Sequence, residues 1–98
     1  MIQDGQLLNY VNGQWQRSQA GDWLDVDNPA TAETLVRVPL TPRAEVDAAV
    51  QAAAAAFAGW RRTPPTERIQ YLFRLKALLE THFDEIAGLT TQECGKTL

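Results

Sequence analysis

Reactive side chains are scarce in this sequence: one cysteine, Cys94, and one histidine, His82, among 98 residues. A single thiol excludes an internal disulfide and agrees with a reducing compartment. A single imidazole excludes a His-pair metal site, and Cys94 has no Cys/His company of the kind zinc requires. Positive charge is not in excess either, since nine Lys and Arg face twelve Asp and Glu for a net charge of -3. The basic residues are scattered, which leaves no electrostatic footprint for nucleic acid. No window approaches the roughly 20 apolar residues of a membrane span, and "MIQDGQLLNY" lacks the basic segment followed by an apolar stretch that marks a secretory signal. A soluble, cytoplasmic protein without nucleic-acid or membrane partners is expected. The six glycines stand singly, so neither the dinucleotide fingerprint nor the Walker phosphate loop can be written on this chain.

What is present fits one small domain. Hydrophobic residues make up 45% of the chain, but many are alanines in "AAVQAAAAAFAGW", and alanine buries little apolar area. The core should be thinner than the percentage suggests. The alanine run reads as an ordinary helix stripe rather than a membrane-lying segment, because Val46, Phe57 and Trp60 continue it at helical spacing.

From about residue 7 to 40 the pattern is that of four short strands. In "LNYVNGQWQR" the pair Asn12-Gly13 is a two-residue hairpin signal, because both residues tolerate the positive φ of a type I′ turn. That register sets Tyr10 opposite Trp15. Leu24 and Val26 then alternate with Asp25 and Asp27 until Asn28-Pro29 turns the chain, and Val36, Val38 and Leu40 share a face of the next strand.

Helical periods follow, over about residues 42–94. Thr41 is the expected N-cap and Pro42 the first residue of a helix running to about Ala58, with Glu45 and Asp47 near its positive end and Gly59 at its close. Pro64 should stay outside a second helix that Pro65 begins. This second helix carries one stripe of Ile69, Leu72, Phe73, Leu79 and Phe83 and another of Tyr71, Leu75 and Leu78. A helix apolar over most of its circumference is buried on more than one side, and the first helix can cover only one of them. A third, from about Phe83 to Glu93, should end at Cys94-Gly95 with Gly95 as left-handed cap. The fold class is therefore α+β, short N-terminal β-hairpins followed by three helices.

No chemistry stands out. Cys94 falls in the last turn of a helix beside Glu93, with Lys96 the only local cation, whereas a nucleophilic thiol wants a helix N-terminus, a cation or a base. His82 lies where the second helix gives way to the third and reads as a junction residue rather than a catalytic base. Asp84 and Glu85 are adjacent on a helix and point apart, which suits a solvated face. Arg61-Arg62 read as surface charge rather than a phosphate site. No catalytic, cofactor-binding or metal-ligating residue is assigned.

Taken in order, "NYVNGQW", "VDNPAT", "LVRVPL", "EVDAAVQAAAAAF..W" and "ERI..LF.L..LLE.H.DEIA.L.T.E.GK" resemble the amino-terminal segment of the NAD(P)-dependent aldehyde dehydrogenase superfamily, over about Leu7 to Lys96. Leu72-Phe73, Leu78-Leu79, His82, Glu85-Ile86-Ala87 and "T.E.GK" are most similar to its methylmalonate-semialdehyde branch, whose members are CoA-acylating. The resemblance implies a homo-oligomeric enzyme of several hundred residues in which this stretch is part of the cofactor domain. It implies a small aldehyde substrate, NAD as oxidant, a cysteine nucleophile forming a thiohemiacetal, and CoA accepting the thioester. The family's catalytic cysteine lies far downstream; Cys94 stands where the family often has asparagine and inherits no role. The ending "TQECGKTL" is accordingly expected to lie inside a longer protein, and the chain alone is expected to be inactive and to bind no NAD. Two other readings remain: a non-enzymatic interaction module that uses the apolar face of the second helix to bind a partner, and a free-standing domain with its own core.

Overall fold

The computed structural model describes residues 1–97 and is built from six strands and three helices. The strands are β1 (Ile2–Gln3), β2 (Gln6–Leu7), β3 (Asn9–Val11), β4 (Gln14–Gln16), β5 (Trp23–Asp27) and β6 (Thr34–Pro39). The helices are α1 (Arg43–Trp60), α2 (Pro65–Thr81) and α3 (Phe83–Cys94). The α+β order expected from the sequence is present, with two strands more than expected. The additional pair is β1–β2, joined through Asp4 (φ 52°) and Gly5 (φ 72°). Asp-Gly is the same positive-φ hairpin chemistry as Asn-Gly, but its strands are two residues long and show no alternation to read.

The Asn12-Gly13 hairpin forms as expected, with φ of 51° and 78° and Tyr10 paired with Trp15. Their rings lie 4.8 Å apart, tilted by 54°. Strands β5 and β6 pair antiparallel with Leu24 opposite Val38 and Val26 opposite Val36, and a register shift falls between Val26 and Asp27. Asp25 and Arg37 face each other in this ladder and join at 2.8 Å. At the turn, the Asn28 side-chain oxygen accepts from the Ala30 amide at 2.9 Å and its carbonyl accepts from Ala32 at 2.7 Å. This Asx turn reverses the chain as the Asn-Pro pair predicts. Strand β2 adds to β6 in parallel, giving the order β1-β2-β6-β5, while β3-β4 forms a separate ribbon.

The start of α1 differs from expectation. Pro42 sits outside the helix at ψ 148° and no side chain caps it. Thr41 lies one residue before the N-cap position, and its hydroxyl accepts the Asn9 side-chain amide at 3.0 Å. The helix also runs past Gly59 to Trp60 and closes through Arg62 N–H to Gly59 O and Thr63 N–H to Trp60 O, at 3.1 and 3.0 Å. Gly59 therefore does not end it; Arg61 is still in the α region, and by Pro64 the chain is extended at ψ 144°. Pro64 (ψ 144°) stays outside α2 and Pro65 opens it, as expected. His82, at φ -105° and ψ 21°, closes α2 and precedes α3, so the two helices are separated by a single non-helical residue. Gly95 takes φ 67° and donates its N–H to Thr91 O at 2.9 Å, the expected left-handed cap.

Helix α1 does not cover α2. The two meet at the corner, where Trp60 and Tyr71 rings stand edge to face 5.5 Å apart, and no residue of any helix is buried. Among the described residues only Ser18 and Pro39 are buried, so there is no apolar core. The molecule measures 48 × 36 × 18 Å with a radius of gyration of 17.0 Å, against roughly 13 Å for a compact chain of this length. Stable domains bury an apolar face between at least two layers; the described residues bury none, which counts against a free-standing domain with its own core.

Candidate functional site

The residues with chemistry to offer are spread along the helical arm. Cys94 is exposed as the last residue of α3. His82 stands at the other end of that helix, roughly 18 Å away at the rise of an α-helix, and its Nδ1 lies 2.9 Å from Glu85 Oε2. Thiol and imidazole are thus not brought together. Arg61 lies over the Phe57 ring at 5.9 Å in the corner after α1. No group of three metal-binding side chains occurs among the described residues. No helix among them is long and apolar enough to cross a membrane.

The best-organised polar cluster is one the sequence did not signal. The loop after β4 is pinned to the first turn of α1 by Glu45, whose Oε2 accepts the Ser18 hydroxyl at 2.8 Å and whose Oε1 accepts the Gln19 amide at 2.7 Å. The Ser18 oxygen in turn accepts the Ala20 amide at 3.1 Å. Next to it, Arg17 donates to Asp4 at 3.1 Å and to Gln6 at 2.7 Å, linking this loop to the β1–β2 hairpin. The cluster borders a concavity of about 530 Å³ between the β3–β4 ribbon and α1, lined in part by Tyr10, Val11, Thr41 and Val46. Its carboxylate already serves two donors and no nucleophile faces it, so it has the character of a structural clamp. Only a Ser and a Glu 27 positions apart carry it, a separation with no local pattern to read.

The larger feature is apolar. Leu72 (59% exposed), Leu75 (49%), Leu78 (58%) and Phe83 (68%) leave α2 and its junction with α3 bare on several sides. Leu72, Leu75, Leu79 and Phe83 line a shallow groove of about 270 Å³, flanked by the Lys76–Glu80 ion pair. A second, of about 320 Å³, lies at the corner between Trp60, Ile69 and Tyr71. Contiguous apolar surface of this kind is an interaction face. The candidate site is therefore a docking surface.

Known proteins match both the sequence and the shape. The profile of the aldehyde dehydrogenase family covers residues 15–98. Malonate-semialdehyde dehydrogenase 3 of Geobacillus kaustophilus is 48% identical over 96 residues, which are 98% of this chain and 20% of that protein. Malonate-semialdehyde dehydrogenase of Bacillus subtilis is 41% identical over 96 residues, with the same coverage. The crystal structure of an aldehyde dehydrogenase from Bartonella henselae superposes with a TM-score of 0.84 at 26% identity, over 89% of this chain and 18% of that one. The chain thus spans about a fifth of the length of the relatives it matches. With its strand-then-helix order, its profile match and its superposition in agreement, this chain belongs to the aldehyde dehydrogenase family.

Proposed function

We propose that these residues are the amino-terminal segment of a cytoplasmic, homo-oligomeric, CoA-acylating malonate- or methylmalonate-semialdehyde dehydrogenase, and that their role in it is to scaffold the cofactor domain. The observation that carries this reading is identity of 41–48% with malonate-semialdehyde dehydrogenases along nearly the whole chain. A chain with no buried apolar core and a bare α2 is what such a segment should look like when seen by itself. In the whole enzyme a small aldehyde would be oxidised with NAD and passed on to CoA.

None of those steps is assigned to a residue of this chain. The described residues do not fit a dinucleotide: the helix starts follow prolines rather than a glycine loop, and the 530 Å³ concavity holds one carboxylate, Glu45, and one guanidinium, Arg17, that is already paired with Asp4. Cys94 is not the nucleophile on this reading, and no catalytic, cofactor or metal ligand is proposed among residues 1–98.

The test is direct. Purified chain mixed with NAD, CoA and malonate semialdehyde should form no NADH above background. The same residues fused to the complementary four-fifths of a malonate-semialdehyde dehydrogenase should give aldehyde- and CoA-dependent NADH formation. Turnover by the chain alone, or a fusion that folds but is inert, overturns the reading.

A further inference from the structure

A backbone nitrogen can attack the side-chain carbonyl of the residue before it when that residue is an asparagine, or an aspartate followed by glycine. The chain holds three asparagines, Asn9, Asn12 and Asn28, and one Asp-Gly pair, Asp4-Gly5. The structure separates these four. Asn28 precedes Pro29, which has no N–H to give up, and its side-chain oxygen accepts the Ala30 amide at 2.9 Å. Asn9 lies in β3 before the bulky Tyr10, and its amide nitrogen donates to Thr41 Oγ1 at 3.0 Å. Asp4 holds Arg17 through Oδ2 at 3.1 Å, and an ion-paired carboxylate resists a nucleophile.

Asn12 is different. Among the described residues it alone of the four makes no side-chain hydrogen bond. Asn12 and Gly13 are both exposed at the hairpin tip, and a Cβ placed on Gly13 would meet nothing within 4 Å. The nitrogen that must attack belongs to a glycine, with no side chain to screen it. In a two-residue turn the ladder closes through Val11 and Gln14, so the Gly13 N–H is left to solvent.

We propose that Asn12 is a covalent self-modification site, gated by opening of the β3–β4 ribbon. The Gly13 nitrogen passes its proton to water and bonds to Asn12 Cγ; the Cγ–Nδ2 bond breaks, and the departing nitrogen takes up a proton to leave as ammonia. The five-membered imide then adds one water. Cleavage of its Cγ–N bond leaves aspartate, whereas cleavage at the main-chain carbonyl carbon leaves isoaspartate, with the backbone routed through Cβ and Cγ. Nothing is oxidised or reduced, and one negative charge joins the net -3. The proposal needs only the hairpin and stands apart from the functional reading above.

The closed turn resists this ring closure. Asn12 at φ 51° is left-handed, a region where ψ is roughly +47°, and the planar imide does not allow that ψ. The ribbon must open first. It opens readily, because it has three residue pairs, stands apart from the four-stranded sheet, and a lone two-stranded hairpin is marginal in water. Isoaspartate then cannot close it again: its extra main-chain methylene lengthens the loop between Val11 and Gln14 and breaks the Tyr10–Trp15 register. The tip borders a concavity of about 330 Å³ over Ala49, Ala52, Ala53 and Ala56, so the change also loosens the ribbon from α1.

The experiment incubates the 98-residue chain at neutral pH and body temperature and samples it over days. Each sample is digested with trypsin and sequenced by tandem mass spectrometry against a zero-time control; the peptide ending at Arg17 carries both Asn9 and Asn12. The expected result is the mass gain of an amide becoming an acid at Asn12, and not at Asn9 or Asn28, as two products that separate in chromatography. The isoaspartate product should lack the Overhauser contacts between Tyr10 and Trp15. Asn12→Gly keeps the turn and should abolish the gain. Trp15→Ala, which weakens the ribbon away from the reacting atoms, should speed it about fivefold. No gain at Asn12, or an equal gain at Asn9 or Asn28, overturns the site. An unchanged rate in Trp15→Ala overturns the gating by the ribbon.

Discussion

The Ser18 hydroxyl donates to the Glu45 carboxylate at 2.8 Å across 27 positions of sequence, making a buried side chain the tie between the strand half and the helical half of the chain. The same carboxylate accepts the Gln19 amide through its other oxygen. Hydrogen bonds to a charged group contribute roughly 1.5–3 kcal/mol each when they are shielded from water. Replacing Glu45 by Ala should therefore destabilise the assembled protein by about 2 kcal/mol. Glu45→Gln, which keeps one acceptor, should cost about half of that. Amide exchange at Gln19 and Ala20 is the local readout: it should accelerate in Glu45→Ala and, to a lesser extent, in Glu45→Gln, which offers one acceptor to two donors. Equal exchange in all three proteins would mean the clamp does not form.

The β3–β4 ribbon depends on two adjacent residues with positive φ, Asn12 at 51° and Gly13 at 78°. Glycine reaches this region without steric cost, whereas an alanine pays roughly 1–2 kcal/mol. Gly13→Ala should weaken the ribbon by that amount and loosen Tyr10 from Trp15, whose rings now lie 4.8 Å apart. Trp15→Ala removes the aromatic pair and should cost roughly 1 kcal/mol. Nuclear Overhauser contacts between the Tyr10 and Trp15 rings are the measurement. They should fade in Gly13→Ala and persist in Asn12→Gly.

Gly95 is constrained twice. Its φ of 67° is left-handed, and a Cβ placed there would stand 3.2 Å from Pro29 Cγ. The cap of α3 thus meets the turn between β5 and β6. Gly95→Ala should destabilise by roughly 1–2 kcal/mol from the backbone term, with a further steric penalty from Pro29. That second part should disappear when Pro29 is also changed to Ala, so the two substitutions are expected to be less than additive in a double-mutant cycle. Strict additivity in thermal or denaturant melts would show that the Pro29 approach carries no energy.

Local chemistry was legible in the sequence wherever a residue type answers to one backbone need. Asn12-Gly13, Asn28-Pro29, Pro65 and Gly95 each sit where their conformational preferences place them. Misreadings came where a distant partner redirected a local preference. Thr41 is a good N-cap by type, yet the helix begins two residues later at Arg43, and its hydroxyl accepts from Asn9, 32 positions earlier. Glu45 does lie in the first turn of α1 as read, but its bonds to Ser18 and Gln19 could not be foreseen. Gly59 has the composition of a stop, but the prolines five and six positions later set the break. The expected cover of α2 by α1 failed for a related reason. The two apolar stripes of α2 do record that it packs on two sides, but periodicity does not say with what, and α1 touches it only at the Trp60–Tyr71 corner. The docking surface was therefore readable as a surplus of apolar residues and the clamp was not readable at all.

The same surplus makes one substitution diagnostic of context. Leu78 is 58% exposed here and contributes little to what holds the isolated chain together. Exposed substitutions away from caps and strained turns stay within about 0.5 kcal/mol, so Leu78→Ala should leave the circular dichroism of the isolated chain unchanged. Inside a whole enzyme where α2 is covered, the same change deletes a buried side chain and leaves a cavity, at a cost of roughly 2–5 kcal/mol. Leu78→Ala is therefore expected to be silent in the circular dichroism of the 98-residue protein and severe in the denaturant melt of the fusion. Apolar dye should bind the isolated chain and be excluded from the fusion, since its binding reports exposed hydrophobic surface. A small effect in both proteins would mean that Leu78 stays in water even after assembly, and the covering partner would then have to lie against Ile69, Leu72 and Phe73 alone.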